Sequence, residues 1–157
     1  MAVSNVSTID SEVWQLITTN SPSSVTTSSF TGISGYKKLM LTYQVQQAGN
    51  DRLYIQFNGD TTARNYGQTG GLYGTQNNMR SDIKWYIAMQ NDTDTAGYIV
   101  IADADKTTPK WIERAGGYGT GYNNGVYLGT SAISSILVSN DTPYAFTGTI
   151  KLYGIAS

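Results

Sequence analysis

The chain contains no cysteine and no histidine, and only three prolines among 157 residues. Without cysteine there are no disulfides, thiolate zinc sites, iron–sulfur clusters or thiol nucleophile. Without histidine there is no Ser-His-Asp triad, no imidazole general base near neutral pH, and none of the commonest transition-metal ligand. Charge is scarce as well. Lysine and arginine total 10 and aspartate and glutamate 11, so 13% of residues are charged, against about 25% in an average domain. A net charge of −1 offers no attraction for a polyanion, which argues against nucleic acid as a partner. No apolar run approaches the roughly 18 residues of a membrane span. Residues Met1–Glu12 lack the basic and apolar stretches of a secretory leader. The expectation is a protein made in the cytoplasm, with no enzymatic activity, no cofactor and no membrane partner.

Uncharged polar residues fill the space that charge leaves: 20 Thr, 15 Ser, 11 Asn and 8 Gln, beside 17 Gly and 12 Tyr. Only two Glu and six Lys are present, and no segment sustains a 3.6-residue period, so helices are not expected. Apolar residues alternate instead. Leu39, Leu41, Tyr43 and Val45 alternate with polar neighbours in Tyr36–Gln46, and Leu53, Ile55 and Phe57 do so in Arg52–Asn58. The short loop between these two runs predicts an antiparallel hairpin. Further strands are expected at Val13–Thr18, Ser81–Met89, Ala96–Asp103, Thr107–Arg114, Val126–Leu128, Ser131–Ser139 and Tyr144–Ile155. Trp14, Trp85 and Trp111 fall inside these patterns and are expected in the core. Eight or nine short strands with Gly, Asn and Asp turns predict an all-β chain, a single antiparallel two-sheet β-sandwich of jelly-roll type. It would span residues 13–157, behind an extended polar arm at 1–12.

Asp92, Asp94, Gly97, Ile99 and Asp103 match EF-hand loop positions 1, 3, 6, 8 and 12, and Asp103 with Asp105 extends a calcium candidate. An EF-hand needs flanking helices, however, and Tyr98–Ala102 reads as a strand. An acidic hairpin turn is the preferred reading, with no metal. The carboxylates offer no glycosidase pair, because the Asp residues gather at turns. The segments Gly59–Arg80 and Ala115–Gly125 are glycine-rich loops without periodicity. Tyr66, Tyr73, Tyr118, Tyr122 and Tyr127 lie in or beside them. Tyrosine among Gly, Asn and Ser makes a rigid amphipathic contact surface, so these five are the candidate contacts with a protein subunit or a cell-surface glycan.

Three stretches carry a resemblance: FTGISGYKKLMLTYQV (Phe30–Val45), RLYIQFNGD (Arg52–Asp60) and AISSILVSNDTPYAFTGTIKLYGIA (Ala132–Ala156). Together with a Trp-containing opening strand, they are similar to small β-sandwich proteins of tailed-bacteriophage virions. Such modules occur as capsid decoration (cement) proteins and in tail fibres. The resemblance implies a non-enzymatic virion component, commonly a homotrimer, partnered by itself and by other virion proteins such as the major capsid protein. The first reading is a decoration protein stabilising capsomer junctions, with the arm adding a strand to a neighbour. The alternative is a tail-fibre receptor-binding or carbohydrate-binding module.

Overall fold

The computed structural model describes residues 12–49, 51–69, 79–87, 94–116, 122–142 and 144–157. Among them there are strands and turns and no helix. The strands are β1 (Gln15–Asn20), β2 (Thr27–Thr31), β3 (Tyr36–Gln47), β4 (Leu53–Phe57), β5 (Tyr66–Thr69), β6 (Met79–Asp82), β7 (Trp85–Tyr86), β8 (Asp94–Ala102), β9 (Lys110–Gly116), β10 (Tyr122–Tyr127), β11 (Ser135–Asn140) and β12 (Phe146–Ala156). A long sheet has the order β1-β12-β3-β8-β9-β10-β5-β6, and a short one β2-β11-β4-β7. All pairings are antiparallel.

Eight of these strands form a jelly roll. β1 pairs with β12, β2 with β11, β3 with β8, and β4 with β7. This is one long antiparallel ribbon whose first half runs against its second. Rolling it up brings β12 beside β3 and β11 beside β4, which closes two four-stranded sheets. The other four strands, β9, β10, β5 and β6, extend the long sheet beyond β8.

The alternation read from the sequence sets the inner faces. Leu39, Leu41, Ile99, Ile101, Ile150 and Leu152 on the long sheet are fully buried, and so are Leu53, Ile55, Phe57, Ile136 and Val138 on the short one. Each buried aliphatic or aromatic side chain contributes about 1.5–3 kcal/mol.

The expected hairpin between residues 36–46 and 52–58 does not form. Both edges of β3 are occupied, by β12 and β8, so β4 crosses to the other sheet and pairs with β11 and β7. Ser81–Met89 is likewise not one strand. β6 ends at Asp82 on the long sheet and β7 begins at Trp85 on the short one. Ile83, between them, is 38% exposed rather than sharing the buried face of Trp85 and Ile87. The segment 59–80, read as loop, contains β5 and the start of β6.

A candidate docking face on the long sheet

Tyr66 and Tyr127 are not contact residues. They are 1% and 2% exposed and pack against Phe57, with ring centroids 4.9–6.0 Å apart. A turn places them. Phe57-Asn58-Gly59-Asp60 closes with the Asp60 amide on the Phe57 carbonyl at 2.8 Å. Its central residues have φ of 54° and 65°, the doubly left-handed turn that Asn-Gly favours. The turn aims Asp60 inward. Its carboxylate accepts bonds from the Thr62 amide (2.8 Å), the Asn65 side chain (2.7 Å) and the Tyr127 hydroxyl (2.8 Å). Burial alone would raise its pKa. The bonds from Thr62, Asn65 and Tyr127 outweigh it and hold Asp60 at about 2. Burial and the neighbouring Asp60 carboxylate push both tyrosine hydroxyls upward.

The folded pKa of Asp60 is below its unfolded value of 3.8. The stabilisation is therefore complete above about pH 4 and is lost as pH falls from there toward 2. Solvent screening reduces it to roughly 1–2 kcal/mol. Chemical denaturation of Asp60→Asn at pH 7 and pH 2.5 checks this. The deficit relative to wild type should be present at pH 7 and shrink at pH 2.5. An equal deficit at both values would show that the carboxylate charge is not what stabilises the loop.

The calcium constellation is not assembled. Asp94 opens β8 and Asp103 follows its end. Nine extended residues separate them by roughly 25–30 Å. Asp105 instead accepts bonds from Ser157 and Lys106. No group of three or more potential metal ligands occurs among the described residues. Tyr73, Tyr118 and Asp92 lie outside the described residues, as does the arm up to Ser11. Tyr122 opens β10. Glu12 is described and pairs with Lys37 and Lys38.

The exposed aromatic site is elsewhere. In β9, Lys-Trp-Ile-Glu-Arg alternates about Ile112, which is 1% exposed and faces the core. Lys110 and Arg114 share that inner face and are 0% and 2% exposed. Trp111 and Glu113 therefore face outward. Trp111, expected in the core, is 66% exposed. Trp14 is half-buried and precedes β1, and Trp85 alone of the three lies fully inside.

Register extends the outer face around Trp111. Val126 pairs with Trp111, Val100 with Glu113 and with Met40, and Met40 with Tyr153. Leu16, 55% exposed, lies beside Tyr153. Alternation puts all of these on the solvent side of the sheet. A groove of about 270 Å³ crosses this face, with Trp14 and Trp111 among its walls and Val100, Ala102 and Ile155 lining it. Glu12, Lys38 and Glu113 add its charges. Further along the strands the face turns polar without much charge. Tyr98 is 44% exposed, and Gln44, Gln46, Ala96 and Thr147 are exposed beyond it. An apolar centre beside an exposed tryptophan, with a polar border in which Asp94, Glu113 and Lys151 carry charge, is the composition of a protein contact surface. The sequence signal for it was the phase of β9: if Ile112 points inward, Trp111 cannot.

No family model matches the chain, and no curated protein does. Among solved structures it is similar to an exo-inulinase from Aspergillus awamori, with 12% identity and a TM-score of 0.47, over 92% of this chain and 29% of that one. It is also similar to the galectin LEC-6 of Caenorhabditis elegans, with 9% identity and a TM-score of 0.41, over 84% of this chain and 92% of that one. The chain thus spans under a third of the inulinase's length.

Proposed function

We propose that this chain is a non-enzymatic structural protein of a bacteriophage virion, a decoration protein that seats the outer face of its long sheet on other protein subunits. The observation that carries the reading is the face centred on Trp111. An indole 66% exposed on the long sheet, beside a groove lined by Val100, Ala102 and Ile155, has the form of a binding hot spot. The strand-end resemblance supports the virion context. Jelly rolls host both capsid and lectin domains, so the fold is compatible with the role and does not select it.

The test is the particle. Quantitative mass spectrometry of purified virions should return hundreds of copies per particle. A few or a dozen copies would move the protein to the tail and end the decoration reading. Trp111→Ala should change folding stability by no more than about 0.5 kcal/mol, as exposed substitutions usually do. It should nevertheless abolish retention on particles in co-sedimentation.

One observation favours the alternative tail-fibre module. An exposed indole beside Glu113 in an open groove can also stack on a pyranose ring. A glycan array probed with wild type and Trp111→Ala separates the two: binding to a sugar, lost in the variant, would favour the fibre.

A further inference from the structure

We propose that the outer face of the long sheet pairs with the same face of a second copy. The two-fold axis would run parallel to the strands, above the seam between β3 and β8. This rests on the reading of that face as a contact surface and names its partner.

The register makes the face self-complementary. Such an axis lays β3 over β8 of the second copy and β9 over β12, with residues of equal height opposed. Across the seam, Lys38 pairs with Ala102 and Gln44 with Ala96. A long side chain of one copy therefore meets a small one of the other, at both ends of the interface. Tyr98, 44% exposed, is likewise paired with the smaller Thr42.

The flanking strands carry the same relation further. Trp111 on β9 lies at the height of Ile155 on β12, because Ile155 pairs with Lys38 and Ala102 continues the β8–β9 register opposite Trp111. Ile155 is 5% exposed and lines the groove of about 270 Å³. The indole of one copy thus enters the groove of the other, twice over, as an isologous interface requires.

Charge follows the same pattern. Glu113 on β9 is exposed and level with Tyr153 on β12. The exposed Lys151 lies two residues from Tyr153, about 6.7 Å along the strand. The axis sets Glu113 of one copy over Tyr153 of the other, and the long Lys151 side chain spans the remaining offset, giving two reciprocal ion pairs. Strands about 4.8 Å apart and alternate residues about 6.7 Å apart give the four-strand face about 500 Å² per copy. The total of about 1,000 Å² meets the threshold for a biological interface and lies below the roughly 1,200–2,000 Å² of a standard stable one. Aligned packing crosses at about 30°, so the central rows stay matched.

The pairing is two-fold, unlike the trimer that the strand-end resemblance implies. Sedimentation equilibrium of the pure full chain from about 1 μM to about 1 mM tests it. Wild type should form dimers. Trp111→Ala should weaken them by about 30-fold or more, as loss of a hot-spot tryptophan does. Glu113→Lys and Lys151→Glu should each weaken them about 10-fold, and the double exchange should restore wild-type association to within about 3-fold. All three residues are exposed, so thermal melts should show the variants folded. A monomer throughout, a trimer, or a dimer indifferent to these changes would overturn the pairing. If the chain is monomeric and Trp111→Ala still abolishes particle retention, the face belongs to a capsid subunit. Self-pairing then fails while the decoration role stands. A dimer that responds to these changes but is scarce in virions supports the pairing and ends the decoration role.

Discussion

Trp85→Ala should lower the free energy of unfolding by about 3–5 kcal/mol, the range for removing a fully buried tryptophan. Trp85 is 0% exposed and sits in β7, at the edge of the short sheet. Its indole reaches the extension of the long sheet at Gly125. A Cβ on Gly125 would overlap the Trp85 ring nitrogen and the Gly67 carbonyl. This ring therefore ties the extension formed by β5 and β10 to the jelly roll, and glycine at 125 is what makes room for it. Urea denaturation of the alanine variant gives the number. A loss under about 1 kcal/mol would mean that the two sheets are held together without it. Gly125→Ala should destabilise through the same contact, by the roughly 1–3 kcal/mol typical of overpacking.

The second large effect is expected at Lys110. Its ammonium donates to the carbonyls of Gly129 (2.9 Å) and Ser131 (2.5 Å), and lies 5.9 Å from the Tyr127 ring centroid. The residue is 0% exposed. Burial pushes its pKa down, and the charge of Asp103 opposes that shift. The lysine is thus a clamp on the connection between β10 and β11, beside the aromatic cluster of Phe57, Tyr66 and Tyr127. Lys110→Met keeps the stem and removes the donors, leaving two carbonyls without their partner. Each costs about 1–3 kcal/mol, so a loss of about 2–6 kcal/mol is expected in equilibrium denaturation. A neutral result would show that water serves the two carbonyls equally well. Because Trp111 is the next residue but points the other way, the variant should retain whatever association the outer face supports.

These two side chains illustrate how far the sequence could be read. Trp85 was expected in the core and is there. Lys110 and Trp111 exchange the places that hydrophobicity alone would assign them. The four residues from Lys110 to Glu113 offer two opposite phases, with either Trp111 or Ile112 inward. Composition prefers the tryptophan. The fold selects Ile112 and accepts a buried lysine, because two carbonyls wait for its ammonium. That acceptor pair comes from residues 129–131, which no local pattern connects to position 110. The tyrosines Tyr66 and Tyr127 followed the same course. Their glycine-rich surroundings suggested exposed contacts, but the Asn58-Gly59 turn points Asp60 at the Tyr127 hydroxyl and closes the ring cluster over Phe57.

The order of residues was enough to specify the all-β class and the inward face of most strands. Strict alternation in β3 and β4 leaves one way to bury leucine and isoleucine, and the shortage of helix formers removes the competing period. The Asn-Gly turn is local in the same sense, since only such residues adopt two successive positive φ values cheaply. Which strand lies beside which is a tertiary matter. Alternation says which face is buried and nothing about the neighbour along the sheet, so β3 and β4 look like a hairpin until β12 and β8 claim both edges of β3. The docking face belongs to that second category. Its members come from β12, β3, β8, β9 and β10, and they become one surface only when backbone hydrogen bonds across the long sheet fix their register.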